Sequence, residues 1–201
     1  MEELLLNRKI IQLIGEFGNI TEERKLILRD LGTLVKAEAP VNLNFICTHN
    51  SRRSQMAQVW GQTAADFFGF RNVRCFSGGS EVTAVHANTL DSLRASGFTI
   101  TQLTNSPNGH YQVSTRDEYS PVLIYSKLVG DQINPRSGFI AIMTCSNADR
   151  NCPIVPGAAL RVSLNYDDPG KFDSKPEAKQ KYLETADRIG REMLYIFGGK
   201  S

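Results

Sequence analysis

Nothing in the sequence approaches the roughly 20 consecutive apolar residues that a membrane-spanning helix needs. An export signal is missing as well. The N-terminus opens on acidic Glu2 and Glu3, has no basic region ahead of an apolar stretch and shows no small-residue cleavage site, so a cytoplasmic protein is expected. Charge of one sign is scarce: the net value of +2 is too small to favour nucleic acid or an anionic membrane as partner. Internal repeats and low-complexity stretches are absent. Cysteine is sparse, with Cys47, Cys75, Cys145 and Cys152 alone. In a reducing cytosol such a set is more often catalytic, metal-binding or buried than a structural disulfide framework.

What is present suits one compact domain with some additions: 201 residues, 41% of them hydrophobic and 22% charged. Residues 1–40 read as a helical extension. Leu4, Leu5, Ile10, Ile11 and Ile14 form an apolar stripe, Gly15 and Gly18 interrupt it, and Thr21-Glu22-Glu23 opens a second helix with Leu26, Ile27, Leu31 and Leu34. Such stripes usually face a core, so a hairpin packed on the domain is expected in preference to a partner-binding or dimerising arm.

Over 41–201 strands alternate with helices. Strands are expected at Leu43–Ile46, Val73–Phe76, Val122–Tyr125, Phe139–Met143 and Leu160–Leu164. Helices are expected at Arg53–Phe68, with Met56, Trp60, Ala64 and Phe67 on one face, and at His86–Ser96, capped by Gly97. Ser77-Gly78-Gly79 reads as a turn and residues 105–109 as a loop. A last helix should start at Ser174, with Glu177 completing a capping box, and end at Gly198-Gly199. The alternation predicts an α/β fold with a mostly parallel sheet and helices on both faces.

The chemistry concentrates in Cys47-Thr48-His49-Asn50-Ser51-Arg52-Arg53-Ser54, a C-x5-R-S loop between a strand and a helix. A loop entering a helix N-terminus aims backbone N–H groups at one point, and the helix dipole adds positive potential there. That makes a cradle for a tetrahedral dianion. A cysteine in the same field is expected to react as its thiolate. Arg53 offers a planar fork for two oxygens, Ser54 a hydroxyl for the sulfur, and Asn50 suits a left-handed turn. C-x5-R alone is permissive and could be a buried cysteine before an incidental basic turn. The strand before it, the helix after it and Ser54 make it specific.

This loop, from Phe45-Ile46-Cys47-Thr48 through Ser54-Gln55-Met56-Ala57, resembles the low-molecular-weight phosphatase superfamily and its arsenate reductase branch most closely. The resemblance covers roughly residues 43–197, which makes 41–201 the expected catalytic domain, and it implies three layers around a mostly parallel four-stranded sheet. It implies that Asp168, in Asn165-Tyr166-Asp167-Asp168-Pro169, protonates the leaving oxygen; read alone, the segment is a common turn. Met143-Thr144-Cys145 through Cys152-Pro153 resembles the redox segment of thioredoxin-coupled members. Two buried structural thiols fit poorly with the polar residues between them, and a zinc site lacks a second cysteine-histidine pair. A dithiol relay on a mobile loop remains the favoured reading.

Cys47, Cys145 and Asp168 each fall at or just past a strand's C-terminal end, the rim where open α/β sheets bind ligands. Cys75 lies inside a strand and reads as a small buried hydrophobe. The family mechanism then implies arsenate in the loop residues Thr48–Ser54, attack by Cys47, a Cys47–Cys145 disulfide, and its transfer to Cys145–Cys152 for reduction by thioredoxin. No flavin, nicotinamide or metal is required.

Several positions depart from the pattern. His49 replaces a usual Gly, and Arg52 replaces a second loop cysteine of many relatives. Gln58 stands where some reductases have an acidic residue linked to potassium, so no cation site is carried over. Gly170-Lys171-Phe172 replaces the aromatic pair of tyrosine phosphatases. The rival enzyme reading is phosphomonoester hydrolysis through a phosphocysteine, which needs neither Cys145 nor Cys152. A non-catalytic oxyanion sensor would need no complete set of nucleophile, arginine and acid.

Overall fold

The computed structural model describes residues 2–37, 39–115, 119–151 and 154–199, with the backbone alone for Glu2, Glu3 and Asn151. Two helices, α1 (Glu2–Gly15) and α2 (Glu22–Val35), precede β1 (Val41–Cys47), α3 (Arg53–Phe67), β2 (Val73–Gly79) and α4 (Ala87–Ala95). Then come β3 (Thr99–Gln102), β4 (Tyr111–Ser114), β5 (Val122–Ile124), β6 (Phe139–Met143), α5 (Ser146–Asn151), β7 (Ala158–Ser163) and α6 (Ala178–Gly198). Among the described residues no helix is long and apolar enough to cross a membrane.

The main sheet is parallel throughout, in the order β2-β1-β6-β7. β1 is buried from Leu43 to Cys47, as a central parallel strand covered on both faces must be. One face carries α3, packed against β1, β2 and α6, and buried almost all round from Ser54 to Ala65. Trp60 on α3 meets Phe98 edge to face, with centroids 4.9 Å apart. On the other face Ile46, Ala141 and Met143 pack with Ala148 of α5. The α/β architecture expected from the sequence, with one four-stranded parallel sheet between helical layers, is therefore the one observed.

α1 and α2 lie on α6 and share the main core. Leu6, Ile10, Leu13, Leu28, Leu31 and Val35 are buried, each worth about 1.5–3 kcal/mol against exposure. At Gly32 an added Cβ would lie 2.8 Å from the Ile196 carbonyl oxygen, so the close approach of α2 to α6 requires glycine. Ion pairs Lys9–Asp187 (3.0 Å), Arg24–Glu192 (2.8 Å) and Arg191–Glu16 (2.6 Å) flank the contact. The stripe read from the sequence is rotated: Leu4, Leu5, Ile11, Leu26 and Leu34 are exposed.

Four local expectations need correction. Val122–Ile124 does not join the main sheet but pairs with β4 in a separate antiparallel sheet, β3-β4-β5, two strands of which sit in polar sequence. Ser77-Gly78-Gly79 is no turn; it completes β2, with Gly79 opposite Cys47. α6 starts at Ala178 and its N-cap Glu177 makes no side-chain cap bond, so the Ser174 capping box does not form. The polar stretch after Cys145 is the helix α5, not an irregular loop.

Candidate functional site

The loop after β1 is held from outside by its carbonyls. Thr48 O accepts from Glu81 N (2.9 Å), His49 O from Ser126 Oγ (2.8 Å), and Asn50 O from Gln55 Nε2 (2.8 Å). Ser51 O accepts from His86 N (3.1 Å) and Arg52 O from Met56 N (3.0 Å). In a trans peptide the N–H points opposite to the C=O, so carbonyls anchored outward turn the following amides toward the loop's centre. Asn50 makes the bend at φ 47°, the one non-glycine residue with positive φ among those described. His49 has no such φ, so the Gly usual at that place is not needed. At Gly79 an added Cβ would lie 2.5 Å from Thr48 O and 2.9 Å from Asn50 N; the strand end is glycine because the loop backbone rests on it.

Cys47 is buried at the head of this loop, its Sγ 3.0 Å from Ser54 Oγ. Asn50 Nδ2 donates to the same Oγ at 2.9 Å, which leaves the hydroxyl hydrogen free to point at sulfur. Arg53, in the first turn of α3, donates to Asp168 Oδ2 (2.7 Å) and to Tyr166 O (3.0 Å), and its Nε is buried without a partner. Asp168 accepts from Gly170 N (3.0 Å) and caps a 3₁₀ turn at Pro169–Phe172. Cys47, Thr48, His49, Ser51, Arg52, Arg53 and Asp168 line one small cleft of about 20 Å³.

Not every loop side chain faces that cleft. His49 is exposed and pairs with Glu81 (3.3 Å). The Arg52 guanidinium is committed to Tyr182 Oη and Asp173 Oδ2, each at 2.5 Å, and so is not offered to the cleft as the sequence suggested. Burial opposes ionisation of Asp173, but hydrogen bonds from Tyr182 and Arg52 hold its carboxyl below the usual range. His86 stacks on Tyr182, 5.3 Å between centroids, and burial with the Arg52 charge pushes its imidazole down. This cluster ties the loop to α4, α6 and the segment behind Asp168.

Cys145 follows β6, beside β1 in the sheet, where Thr144 N donates to Ile46 O at 2.8 Å. Its Sγ is buried, 3.7 Å from Thr48 Oγ1, and accepts from Ala148 N at 3.3 Å. α5 is pinned at Asp149, which accepts from Arg161, from Ser163 Oγ (2.7 Å) and from Asn165 Nδ2 (2.9 Å). Cys152 lies outside the described residues. Cys75 is buried away from the cleft, and desolvation pushes its thiol far up.

Sequence reasoning missed the layer behind the loop: Gln55, Gln58, Ser77 and Lys127. Lys127 is 1% exposed and its backbone N donates to Asn50 Oδ1 (3.0 Å), and nothing in Tyr125-Ser126-Lys127-Leu128-Val129 marks it for burial.

No protein-family profile matches the chain. Among curated proteins it is similar to an arsenate reductase of Bacillus anthracis, 31% identical over 148 residues, covering 73% of this chain and 90% of the relative. It is also similar to arsenate reductase 2 of Staphylococcus epidermidis, 29% identical over 143 residues, or 71% and 89% of the two chains. A solved arsenate reductase in a phosphate-binding state superposes with a TM-score of 0.51 at 14% identity, covering 80% of this chain and 99% of that one. A low-molecular-weight phosphotyrosine phosphatase of Vibrio cholerae superposes at 0.50 and 17% identity, covering 77% and 92%. At these identities the structures speak for the fold alone.

Proposed function

The chain belongs to the arsenate reductases of the low-molecular-weight phosphatase superfamily, and on that premise we propose that it reduces arsenate to arsenite through Cys47 with a Cys145/Cys152 relay to thioredoxin. The observation that carries the reading is the convergence of Cys47, Arg53 and Asp168 on one cleft. Arsenate enters as substrate and is held by the amides of 48–53 and the Arg53 fork. The Cys47 thiolate attacks arsenic, and Asp168 gives its proton to the departing oxygen, so water leaves.

The second step transfers electrons. The Cys145 thiolate attacks the Cys47 sulfur, the S–As bond breaks, and its electron pair stays on arsenic, which departs as arsenite. A Cys47–Cys145 disulfide remains. Cys152 then attacks Cys145 Sγ, Cys47 leaves as thiolate, and the Cys145–Cys152 disulfide is reduced by the thioredoxin dithiol. Support for Cys145 as first resolving thiol is its place at the end of the strand next to β1, 3.7 Å from the neighbour of Cys47. Since it is buried under Ala148, α5 must loosen for the outward exchange. The two electrons that arsenic gains come from the cysteine thiols, and the thioredoxin dithiol restores them after each turnover.

A second reading, hydrolysis of phosphate monoesters, is favoured by a cleft of about 400 Å³ that shares Asp168 with the oxyanion site. Tyr166, Phe172, Lys181 and Arg188 line it, room enough for an organic leaving group. Steady-state assays separate the two. With thioredoxin, thioredoxin reductase and NADPH, arsenate should be turned over, and Cys145→Ser and Cys152→Ser should each abolish multiple turnover. Turnover unchanged in both variants would sink the relay. Hydrolysis of an aryl phosphate that survives both substitutions at a faster rate than arsenate turnover would favour the phosphatase.

A further inference from the structure

Arg24 stands in the first turn of α2, ahead of the stretch 43–197 that carries the family resemblance, and its backbone N donates to the N-cap Thr21 Oγ1 (3.3 Å). Its guanidinium joins two elements of the catalytic domain. Nε and Nη2 donate to Glu192 Oε2 of α6 (3.0 and 2.8 Å), and Nη2 also donates to Asn165 O (3.2 Å). The pair is withdrawn from solvent: the Arg24 and Glu192 side chains are 15% and 4% exposed. The same guanidinium lies over the Tyr166 ring, 4.9 Å from its centroid. Asn165 and Tyr166 lead directly into Asp168.

β7 ends at Ser163, and the segment past it is fixed by separate contacts. Tyr166 N donates to Thr144 O (3.1 Å) and Asn165 Nδ2 to Asp149 Oδ2 (2.9 Å), which holds the segment to the sheet side. α2 and α6 hold the other side. Glu192 carries two guanidiniums, Arg24 on Oε2 and Arg188 on Oε1 (3.5 Å), and Arg188 also lies over the buried Tyr166 ring, 5.7 Å from the centroid. From Tyr166 the hold passes on. Its O accepts from Arg53 Nη1 (3.0 Å), and Arg53 Nη2 donates to Asp168 Oδ2 (2.7 Å), so a shift of the tyrosine moves the Asp168 carboxyl with it.

We propose that Arg24 is a positioning residue for the acid, which makes the N-terminal helical extension part of the active-site framework: through Glu192, Asn165 O and the Tyr166 ring it sets where Asp168 stands in the cleft. This rests on the reading of Cys47 as nucleophile and Asp168 as proton donor. A buried ion pair adds little net stability over a hydrophobic replacement, so what the Arg24 fork contributes is chiefly geometry: it binds Glu192 and Asn165 O together, which a point charge cannot do in the same way. An acid displaced by as little as 1 Å transfers its proton far less well, so the effect belongs to the chemical step.

The test is the rate of the first turnover, arsenite formed per chain from saturating arsenate with no reductant added, so that thioredoxin does not enter. Asp168→Asn sets the reference and should slow it at least about a hundredfold. If the unaltered protein forms no arsenite, or Asp168→Asn keeps its rate, the underlying reading fails and the proposal with it. Given that loss, Arg24→Met should slow the step about tenfold where Asp168 is present and less than about twofold in the Asp168→Asn background, where no acid remains to be placed. Arg24→Lys, which keeps a charge beside Glu192 without the fork, should slow it about threefold. Lys9→Met breaks the Lys9–Asp187 pair, a contact of the extension with α6 that does not reach 165–168, and should leave the rate unchanged. If Arg24→Met does not fold, Arg24→Lys in the two backgrounds decides. A rate no lower than that of Lys9→Met, or the same fold-loss with and without the acid, would overturn the proposal and leave the roles of Cys47 and Asp168 intact.

Discussion

Arg53 donates to Asp168 across 2.7 Å, joining the loop after β1 to the segment after β7 through one charge-assisted bond. The proposed anion-binding fork and the proposed proton donor are thus held in one relative geometry by two elements 115 residues apart in sequence. For Arg53→Lys a single point charge replaces the fork. We expect kcat/KM for arsenate to fall about 10²–10³-fold, with KM and kcat both affected. A change below threefold would remove Arg53 from anion binding.

Asp168→Asn keeps the shape and removes the proton. Arsenate turnover should drop by about 10²–10⁴ in kcat. With an aryl phosphate the loss should shrink as the phenol becomes a better leaving group, because the acid is then less needed. A loss independent of the leaving group would assign Asp168 to holding Arg53 instead.

Asp149 ties α5 to β7 through Arg161, Ser163 and Asn165. Burial opposes its ionisation, yet the Ser163 and Asn165 hydrogen bonds and the Arg161 charge hold the carboxyl below its ordinary value. A depressed folded value contributes stability above the unfolded pKa of about 3.9 that is lost as pH falls through the folded one. Amide exchange over 146–151 should accordingly speed up below about pH 4. Asp149→Asn should show fast exchange at pH 7 as well, and equal exchange in both proteins would deny the latch.

Lys127 has the opposite sign. Its folded value, about 8, lies below the ordinary lysine value of 10.5, so between those pH values the unfolded chain holds more protons and stability rises with pH. At pH 7 the buried charge costs on the order of 3 kcal/mol. Denaturant melts should find Lys127→Met more stable than the natural protein at pH 7, with the gap closing toward pH 10.5. A gap that does not vary with pH would mean that the amine is not charged in the fold.

Cys75 serves as a check on selectivity. Burial keeps its thiol protonated, so iodoacetamide at pH 7 should leave it unlabelled in the native state while Cys47 reacts. Peptide mapping after brief alkylation reads this directly. Cys75→Ala should cost stability without lowering turnover, since its Sγ packs among Gly61 and Phe45 on the far side of the loop.

The sequence by itself determined the parts that are local. A buried strand, a C-x5-R-S loop and a helix are contiguous, so the loop residues Cys47, Asn50, Arg53 and Ser54 were legible from spacing and chemistry; so were the parallel sheet and the buried face of α6, whereas α3, read with one apolar face, is buried nearly all round. Whatever depends on a partner far along the chain was decided only by the tertiary structure. α1 and α2 show more than one apolar face, and only docking on α6 selects Leu6, Ile10 and Leu28 over Leu5, Ile11 and Leu26. α5 is short and polar, below what propensity can specify, and is helical because Asp149 finds Arg161, Ser163 and Asn165. Arg52 reads as loop charge until Tyr182 and Asp173, more than 120 residues away, claim it. Lys127 reads as an ordinary surface lysine, and becomes a buried cation because β2 and the loop after β1 close over it: burial is a property of the assembled fold, and no single segment encodes it.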